Sequence, residues 1–185
     1  MFQDLLYYDL GPDVEAFTSR RDSVLPYPVI QGHQVHGSRV AIIDRPWMTR
    51  EELEGYDAFI TNLSGVAIGV RTADCVLILL YDPVRRVIAA VHSGWKGTVL
   101  KISQGVIDRM EEVFGTAPED LRAVIGPCIG QDSLQVGEEV AEKFKDAGFP
   151  MPRIWTFQGP GDGRPILYLL RHPGSPSFQN SAFSF

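Results

Sequence analysis

The feature that most constrains the fold is a series of short aliphatic and β-branched runs, broken by turn residues, between Val29 and Asp82. Each run has the length of a strand, and no amphipathic helix separates one run from the next. Because parallel neighbours need a crossover of about a dozen or more residues, this spacing predicts a sheet that is not all parallel. The runs are VIQGHQV, RVAIID, DAFITN, GVAIGV and CVLILLY.

The second half of the chain mixes strands with helices. RVIAAVH over 86–92 and DLRAVIG over 120–126 predict strands, and a helix is expected to open at SGWKG and to end before Gly115. A second helix is predicted over 136–147, with Val140 and Phe144 facing inward. We therefore expect an α/β (α+β) layered domain in which helices flank a mixed β-sheet. The apolar stripe of the first helix comprises Val99, Ile102, Val106, Met110 and Val113.

Length and composition are those of one globular domain. With 185 residues, 44% hydrophobic and 22% charged, the chain is long enough for a sizeable core and is unlike disordered or disulfide-scaffold sequences. We predict one catalytic domain over 1–158. In the segment 159–185, no charged residue follows Arg171 apart from the titratable His172. Its apolar residues follow neither the 3.6-residue period of a helix nor the two-residue period of a strand, so it is predicted to be an irregular tail.

Charge and cysteine content exclude several classes of function. Seventeen basic and 23 acidic residues give a net charge of −6, and basic runs stop at two residues, which disfavours nucleic acid as a partner. The longest apolar run, Cys75–Tyr81, is far shorter than the roughly 20 residues of a membrane helix. Two cysteines without a CxxC pair and an N-terminus without signal-peptide features predict a cytoplasmic protein that has no membrane partner.

Three segments place reactive side chains at strand ends or beside glycine: QVHG over 34–37, RTADC over 71–75 and VHSGWKG over 91–97. Taken together, His36, Cys75 and His92 offer two imidazoles and one thiolate, a donor set that suits zinc or copper and leaves a fourth position open. The intervals of 39 and 17 residues match no zinc-finger spacing, so the residues alone leave other assignments open.

One alternative makes Cys75 a thiolate nucleophile that His92 activates, with Asp74 or Asn62 orienting the histidine. Another is anion binding, in which Lys96 and the backbone of SGWKGT hold a phosphate.

Arg71 either binds a phosphate or carboxylate through its guanidinium or pairs with Asp74 or Asp57. His33 lies three residues before His36, so in an extended strand the two side chains point to opposite faces and do not chelate one metal.

Five motifs together closely resemble the laccase-domain family, whose members also carry the names multicopper polyphenol oxidoreductase and peptidoglycan editing factor and act as purine nucleoside phosphorylases. The similarity is strongest over 29–149 and follows the family's order. Its motifs here are QVHG, DAFIT, RTADC, AAVHSGWKGT and IGPCIG.

The resemblance implies a metal-bearing pocket with His36, Cys75 and His92 as ligands of zinc or copper. Beside these ligands we infer Arg71, Asp74 and Lys96 as further pocket residues, with Arg71 and Lys96 neutralising phosphate. It also implies phosphate-dependent cleavage of adenosine, inosine, guanosine and methylthioadenosine to base and ribose 1-phosphate, with deamination of adenosine as a side activity. The expected partners are therefore a purine nucleoside and phosphate.

The sequence departs from the family at both ends. The stretch SRRDSVLPYP stands where members usually carry Thr-Arg-x-Gly-Gly, and nothing after Gly159 matches their C-terminal segment. The C-terminal departure keeps open the hypothesis of a catalytically degenerate binding protein. Cys75 and His92 keep open a cysteine-dependent hydrolase that acts on a peptidoglycan precursor or amide.

Overall fold

The computed structural model describes residues 5–130, 133–151, 155–157, 165–167 and 183–184. Two short helices and one long one accompany ten strands within these ranges. The strands are β1 (Leu5–Tyr8), β2 (Ala16–Ser19), β3 (Val40–Ile42), β4 (Ala58–Thr61), β5 (Val76–Asp82), β6 (Val87–Ser93), β7 (Arg122–Ile125), β8 (Trp155–Phe157), β9 (Pro165–Leu167) and β10 (Phe183–Ser184). The helices are α1 (Trp95–Val99), α2 (Ile102–Phe114) and α3 (Glu138–Asp146), with a 3₁₀ turn at Pro118–Asp120.

The central sheet has six strands in the order β10-β7-β5-β6-β4-β3. Only β3 and β4 run parallel, and every other neighbouring pair is antiparallel. The mixed sheet predicted from the closely spaced runs is therefore confirmed. Two separate hairpins, β1-β2 and β8-β9, complete the strand pairing in the described ranges.

The two longest strands, β5 and β6, lie in the middle of the sheet and are buried on both faces. This burial explains why their sequences read as almost continuous aliphatic runs rather than as an alternating pattern. Helix α2 packs on one face through Ile102, Val106 and Met110. On another part of the sheet, Tyr81 packs with Leu10 from the segment that joins β1 to β2.

The predicted first helix is interrupted. Lys101 adopts a left-handed backbone conformation with φ of 56°, so α1 ends at Val99 and α2 begins at Ile102. The predicted stripe is buried at Ile102, Val106 and Met110, whereas Val113 is 41% exposed. Gly115 forms the predicted left-handed C-cap of α2, where its N–H donates to Glu111 O.

Two of the predicted strands are wrong. VIQGHQV and GVAIGV contact each other through one isolated parallel bridge, Ile30 to Ile68, and do not form a ladder. Gly32 packs so closely on the Leu53 carbonyl that a Cβ would lie 2.1 Å from its oxygen. His36 has a φ of 59°, which ends any extended run. Tertiary packing thus overrides the strand propensity of these residues.

The chain divides into two compact units, Met1–Pro127 with Asn180–Phe185, and Cys128–Gln179. In the second unit, α3 buries Val140 and Phe144 as predicted, and the Phe144 ring stacks edge-on with Phe149.

Most of 159–185 lies outside the described residues, so one domain over 1–158 followed by a tail stays a prediction. In the described part of the chain, no helix has the length and apolar character needed to cross a membrane.

Candidate metal centre

The three predicted metal ligands converge in the first unit. The ligand atoms of His36, Cys75 and His92 all lie within 4.8 Å of one another. Cys75 directly precedes β5 and His92 is the penultimate residue of β6, and the antiparallel register pairs Val76 with Ser93. The start of one strand therefore lies beside the end of the other, which brings together residues that are far apart in the sequence.

The cluster is closed on one side and open on the other. His92 is only 3% exposed, Cys75 is half-buried and His36 is exposed. The two imidazole rings meet edge to face, with 4.8 Å between their centroids. A metal held here would have protein on the His92 side and solvent access near His36, which is the arrangement of a catalytic rather than a structural site.

Glycines allow the segments around the cluster to approach closely. A Cβ on Gly94 would lie 3.1 Å from Cys75 Sγ and 3.2 Å from His36 Cδ2. A Cβ on Gly97 would lie 2.9 Å from Gly37 O. Glycine at these two positions therefore lets the segments around the cluster pack closely.

Asp57 is the site residue that the sequence analysis missed. Its fully buried carboxylate accepts hydrogen bonds from His92 Nδ1 at 2.7 Å and from the backbone N–H groups of Val35, His36 and Gly37 at 3.2, 2.9 and 2.8 Å. The available signal was an aspartate at the head of an apolar strand, because such a buried charge needs partners.

This geometry also corrects the group that orients His92. Asp57 contacts the histidine, whereas Asn62 follows β4 at its other end, since Ala58 pairs with Val91 and Thr61 pairs with Ile88. Asp74 is exposed and next to Cys75.

The surroundings shift the pKa values of the Asp57 carboxyl group and the Cys75 thiol in opposite directions. Burial alone would raise the pKa of Asp57, but hydrogen bonds from His92 and from the backbone of Gly37 and Val35 outweigh it and lower that pKa. Burial raises the pKa of the Cys75 thiol, and the charges of Asp74 and Asp57 raise it further. Without a bound cation, Cys75 is therefore a poor thiolate nucleophile at neutral pH.

The three further predicted site residues, Arg71, Asp74 and Lys96, are all exposed. Arg71 Nε donates to Gln31 Oε1 at 3.0 Å, and within residues 5–130 Arg71 forms no ion pair with Asp74 or Asp57. The Lys96 ammonium lies 5.6 Å from the centroid of the Trp95 ring.

Gln34 fixes the segment that leads to Cys75. Its side-chain amide donates to Arg71 O at 2.8 Å and accepts from Arg71 N at 2.7 Å. The backbone of Arg71 is thus tied to the QVHG segment, which explains a polar side chain two residues before His36.

The donor chemistry fits zinc or copper. With metal–ligand bonds of about 2.0–2.3 Å, one zinc ion holds its ligand atoms roughly 3–4 Å apart. Separations of up to 4.8 Å require only small side-chain rotations to reach that range. His33 lies outside this cluster, although the segment from His33 to His36 is not the extended strand on which that prediction rested.

Comparison with known proteins agrees with the architecture and the motifs. The sequence model of the multi-copper polyphenol oxidoreductase laccase family matches residues 13–170. A purine nucleoside phosphorylase of Bacteroides thetaiotaomicron is 42% identical over 138 residues, which are 71% of this chain and 51% of that protein. An adenosine deaminase from an unknown prokaryotic organism is 39% identical over 170 residues, covering 89% and 60% of the two chains.

A solved structure shows the same fold. The hypothetical protein YfiH of Bacillus licheniformis superposes with a TM-score of 0.68 at 28% identity, covering 76% of this chain and 54% of that one. The chain spans about half the length of the curated relatives it matches. On the family match over most of its length, the chain belongs to the multi-copper polyphenol oxidoreductase laccase family.

Proposed function

We propose that the chain carries the metal centre of a purine nucleoside phosphorylase. The reaction is phosphate-dependent cleavage of adenosine, inosine, guanosine or methylthioadenosine, with deamination of adenosine as a side activity. The observation that carries the proposal is the convergence of His36, Cys75 and His92, in a chain whose relatives are named purine nucleoside phosphorylase and adenosine deaminase.

In the proposed phosphorolysis, a phosphate oxygen forms a bond to C1′ of the ribose. The bond between C1′ and the purine nitrogen breaks, and the base leaves with the electron pair and takes up a proton. Negative charge therefore enters the site on phosphate and develops on the departing base. Both charges need nearby cations or hydrogen-bond donors.

His36, Cys75 and His92 are proposed to hold zinc or copper. When bound, the metal supplies a Lewis acid that polarises a substrate oxygen or lowers the pKa of water. The half-buried thiol favours this role, because a cation offsets the burial and the acidic neighbours that raise the pKa of Cys75.

Arg71 and Lys96 are proposed to neutralise the phosphate. The hydrogen bond to Gln31 fixes Arg71 Nε, and in the described ranges its two terminal nitrogens have no protein partner and remain able to donate to phosphate. Lys96, on the first turn of α1, supplies a second exposed cation. Asp74, adjacent to Cys75, is proposed as a polar pocket residue.

The test is incubation of the protein with adenosine, with and without phosphate, followed by chromatography of the products. Adenine that forms only with phosphate, and is lost in Cys75→Ala and after chelation, supports the phosphorylase. Cys128→Ala is the matched control, because Cys128 is the other free cysteine and is exposed.

A deaminase is the second candidate, favoured by the relative named adenosine deaminase. Inosine as the sole product, independent of phosphate, would assign this activity. Turnover that survives chelation but not thiol alkylation would instead favour a cysteine-dependent hydrolase. Nucleoside binding by calorimetry without any product would favour a binding protein.

A further inference from the structure

The carboxylate of Asp57 is fully buried, and its two oxygens divide four hydrogen bonds between two segments. Oδ1 accepts from His92 Nδ1 at 2.7 Å and from His36 N at 2.9 Å. Oδ2 accepts from Gly37 N at 2.8 Å and from Val35 N at 3.2 Å. One oxygen therefore contacts both the ring of one proposed ligand and the main chain of another.

The backbone of His36 depends on these contacts. Its φ of 59° lies in the left-handed region, which residues with a Cβ adopt infrequently and at a conformational cost. Three successive N–H groups converge on the carboxylate in the manner of an anion-binding nest. The buried charge of Asp57 thus stabilises the turn that presents the His36 side chain.

The same carboxylate also selects the tautomer of His92. An ionised carboxylate only accepts hydrogen bonds, so the hydrogen of the neutral ring lies on Nδ1. Nε2 then keeps its lone pair, which a metal ligand requires.

We propose that Asp57 is a positioning residue that couples His36 and His92, so that two of the three metal ligands are set by one buried carboxylate. The proposal rests on the metal set of the proposed function and extends it to a residue outside that set. Asp57 is not one of the three proposed ligands, and it acts through Nδ1 of His92 and the backbone N–H of His36.

An asparagine cannot reproduce this coupling in either orientation of its amide. With the NH₂ at the Oδ2 position, it faces the N–H groups of Val35 and Gly37, and the turn loses both acceptors. With the NH₂ at the Oδ1 position, it faces His36 N–H and donates to His92 Nδ1, which moves the ring hydrogen to Nε2. Each orientation therefore disturbs a different metal ligand.

The first experiment uses the wild-type chain without metal, labelled with ¹⁵N-histidine, at about pH 8.5, where an unperturbed imidazole is neutral. The His92 resonances are identified by their loss in His92→Gln. We expect a hydrogen on Nδ1 of His92. A hydrogen on Nε2 alone would overturn the proposal, and this outcome does not depend on whether any variant folds.

The second experiment compares zinc affinity by competition with a chromophoric chelator. Asp57→Asn is expected to bind zinc about 10–100-fold more weakly than the wild type, the usual loss when a ligand's outer partner is removed. Asp82→Asn is the matched control. Asp82 is also fully buried and accepts two backbone N–H groups, but it lies at the end of β5 away from Cys75.

We expect Asp82→Asn to lose thermal stability while its zinc affinity stays within about twofold of the wild type. Folded Asp57→Asn with wild-type zinc affinity, or an equal loss in both variants, would overturn the coupling. Absence of zinc binding by the wild type would instead overturn the metal set of the proposed function. The tautomer of His92 would still decide whether Asp57 orients that ring.

Discussion

Gly94 lies directly against Cys75, so closely that a methyl group at Gly94 would displace its neighbours by a few tenths of an ångström. A Cβ at Gly94 would stand 3.1 Å from Cys75 Sγ and 3.2 Å from His36 Cδ2. The backbone of Gly94 thus forms one wall of the ligand cluster, and its φ of −69° shows that space rather than backbone conformation requires glycine here.

Gly94→Ala is therefore expected to push the thiol and the imidazole away from their present positions and to weaken zinc binding at least roughly tenfold, the loss typical of a disturbed ligand shell. Zinc affinity by chelator competition checks this. Gly105→Ala is the matched control, because Gly105 lies on α2 with nothing near its would-be Cβ. Alanine there should stabilise α2 by up to about 1 kcal/mol. Equal zinc affinity in both variants would contradict the assignment of Gly94 to the wall of the ligand cluster.

The three candidate donors were the most predictable part of this site. His36, Cys75 and His92 could be selected from sequence because His36 precedes a glycine, Cys75 begins an apolar run and His92 lies at the end of one. Their intervals carry no metal-site spacing, and only the antiparallel register of β5 and β6 brings Cys75 next to His92. Sequence patterns thus selected three residues that the fold brings together, and the sheet topology was needed to join them.

Asp57 and the false strands could not be predicted, for related reasons. A strand-like run such as VIQGHQV has the right composition, but the turn that ends it, over 35–37, is held by the Asp57 carboxylate, 20 or more residues away. Here side-chain oxygens accept the backbone hydrogen bonds that a neighbouring strand would otherwise accept. Such tertiary contacts cannot be predicted from a local sequence pattern. The aspartate looked like any residue at the head of a strand.

The raised pKa of Cys75 predicts slow alkylation of the metal-free protein. Burial raises this pKa, with Asp74 adding to it, so less thiolate is present at pH 7 than in a free cysteine and the reaction accelerates only at more alkaline pH. Asp74→Asn should shift the rate profile of iodoacetamide labelling toward lower pH. Measurement in Cys128→Ala isolates Cys75, since the chain has two cysteines. A profile at lower pH than that of free cysteine would revive the nucleophile hypothesis.

Removal of the exposed cations should affect phosphate rather than metal. Arg71→Ala and Lys96→Ala are each expected to raise the KM for phosphate roughly tenfold, the effect of losing one partly solvated charge-assisted hydrogen bond. Zinc content should stay at the wild-type level, because neither side chain belongs to the ligand cluster. Lys143→Ala, on α3, serves as the charge-matched control. An unchanged KM in both variants would remove these residues from the proposed phosphate site.

The packing of α2 gives a test of the fold that is independent of the site. Met110 is fully buried against the sheet, whereas Val113, one turn further along the same predicted stripe, is 41% exposed. Met110→Ala is expected to lower the free energy of unfolding by about 2–5 kcal/mol, because it leaves a cavity. Val113→Ala should change it by less than about 1 kcal/mol. Urea unfolding measures both, and equal effects would contradict the assignment of Met110 to the core and of Val113 to the surface.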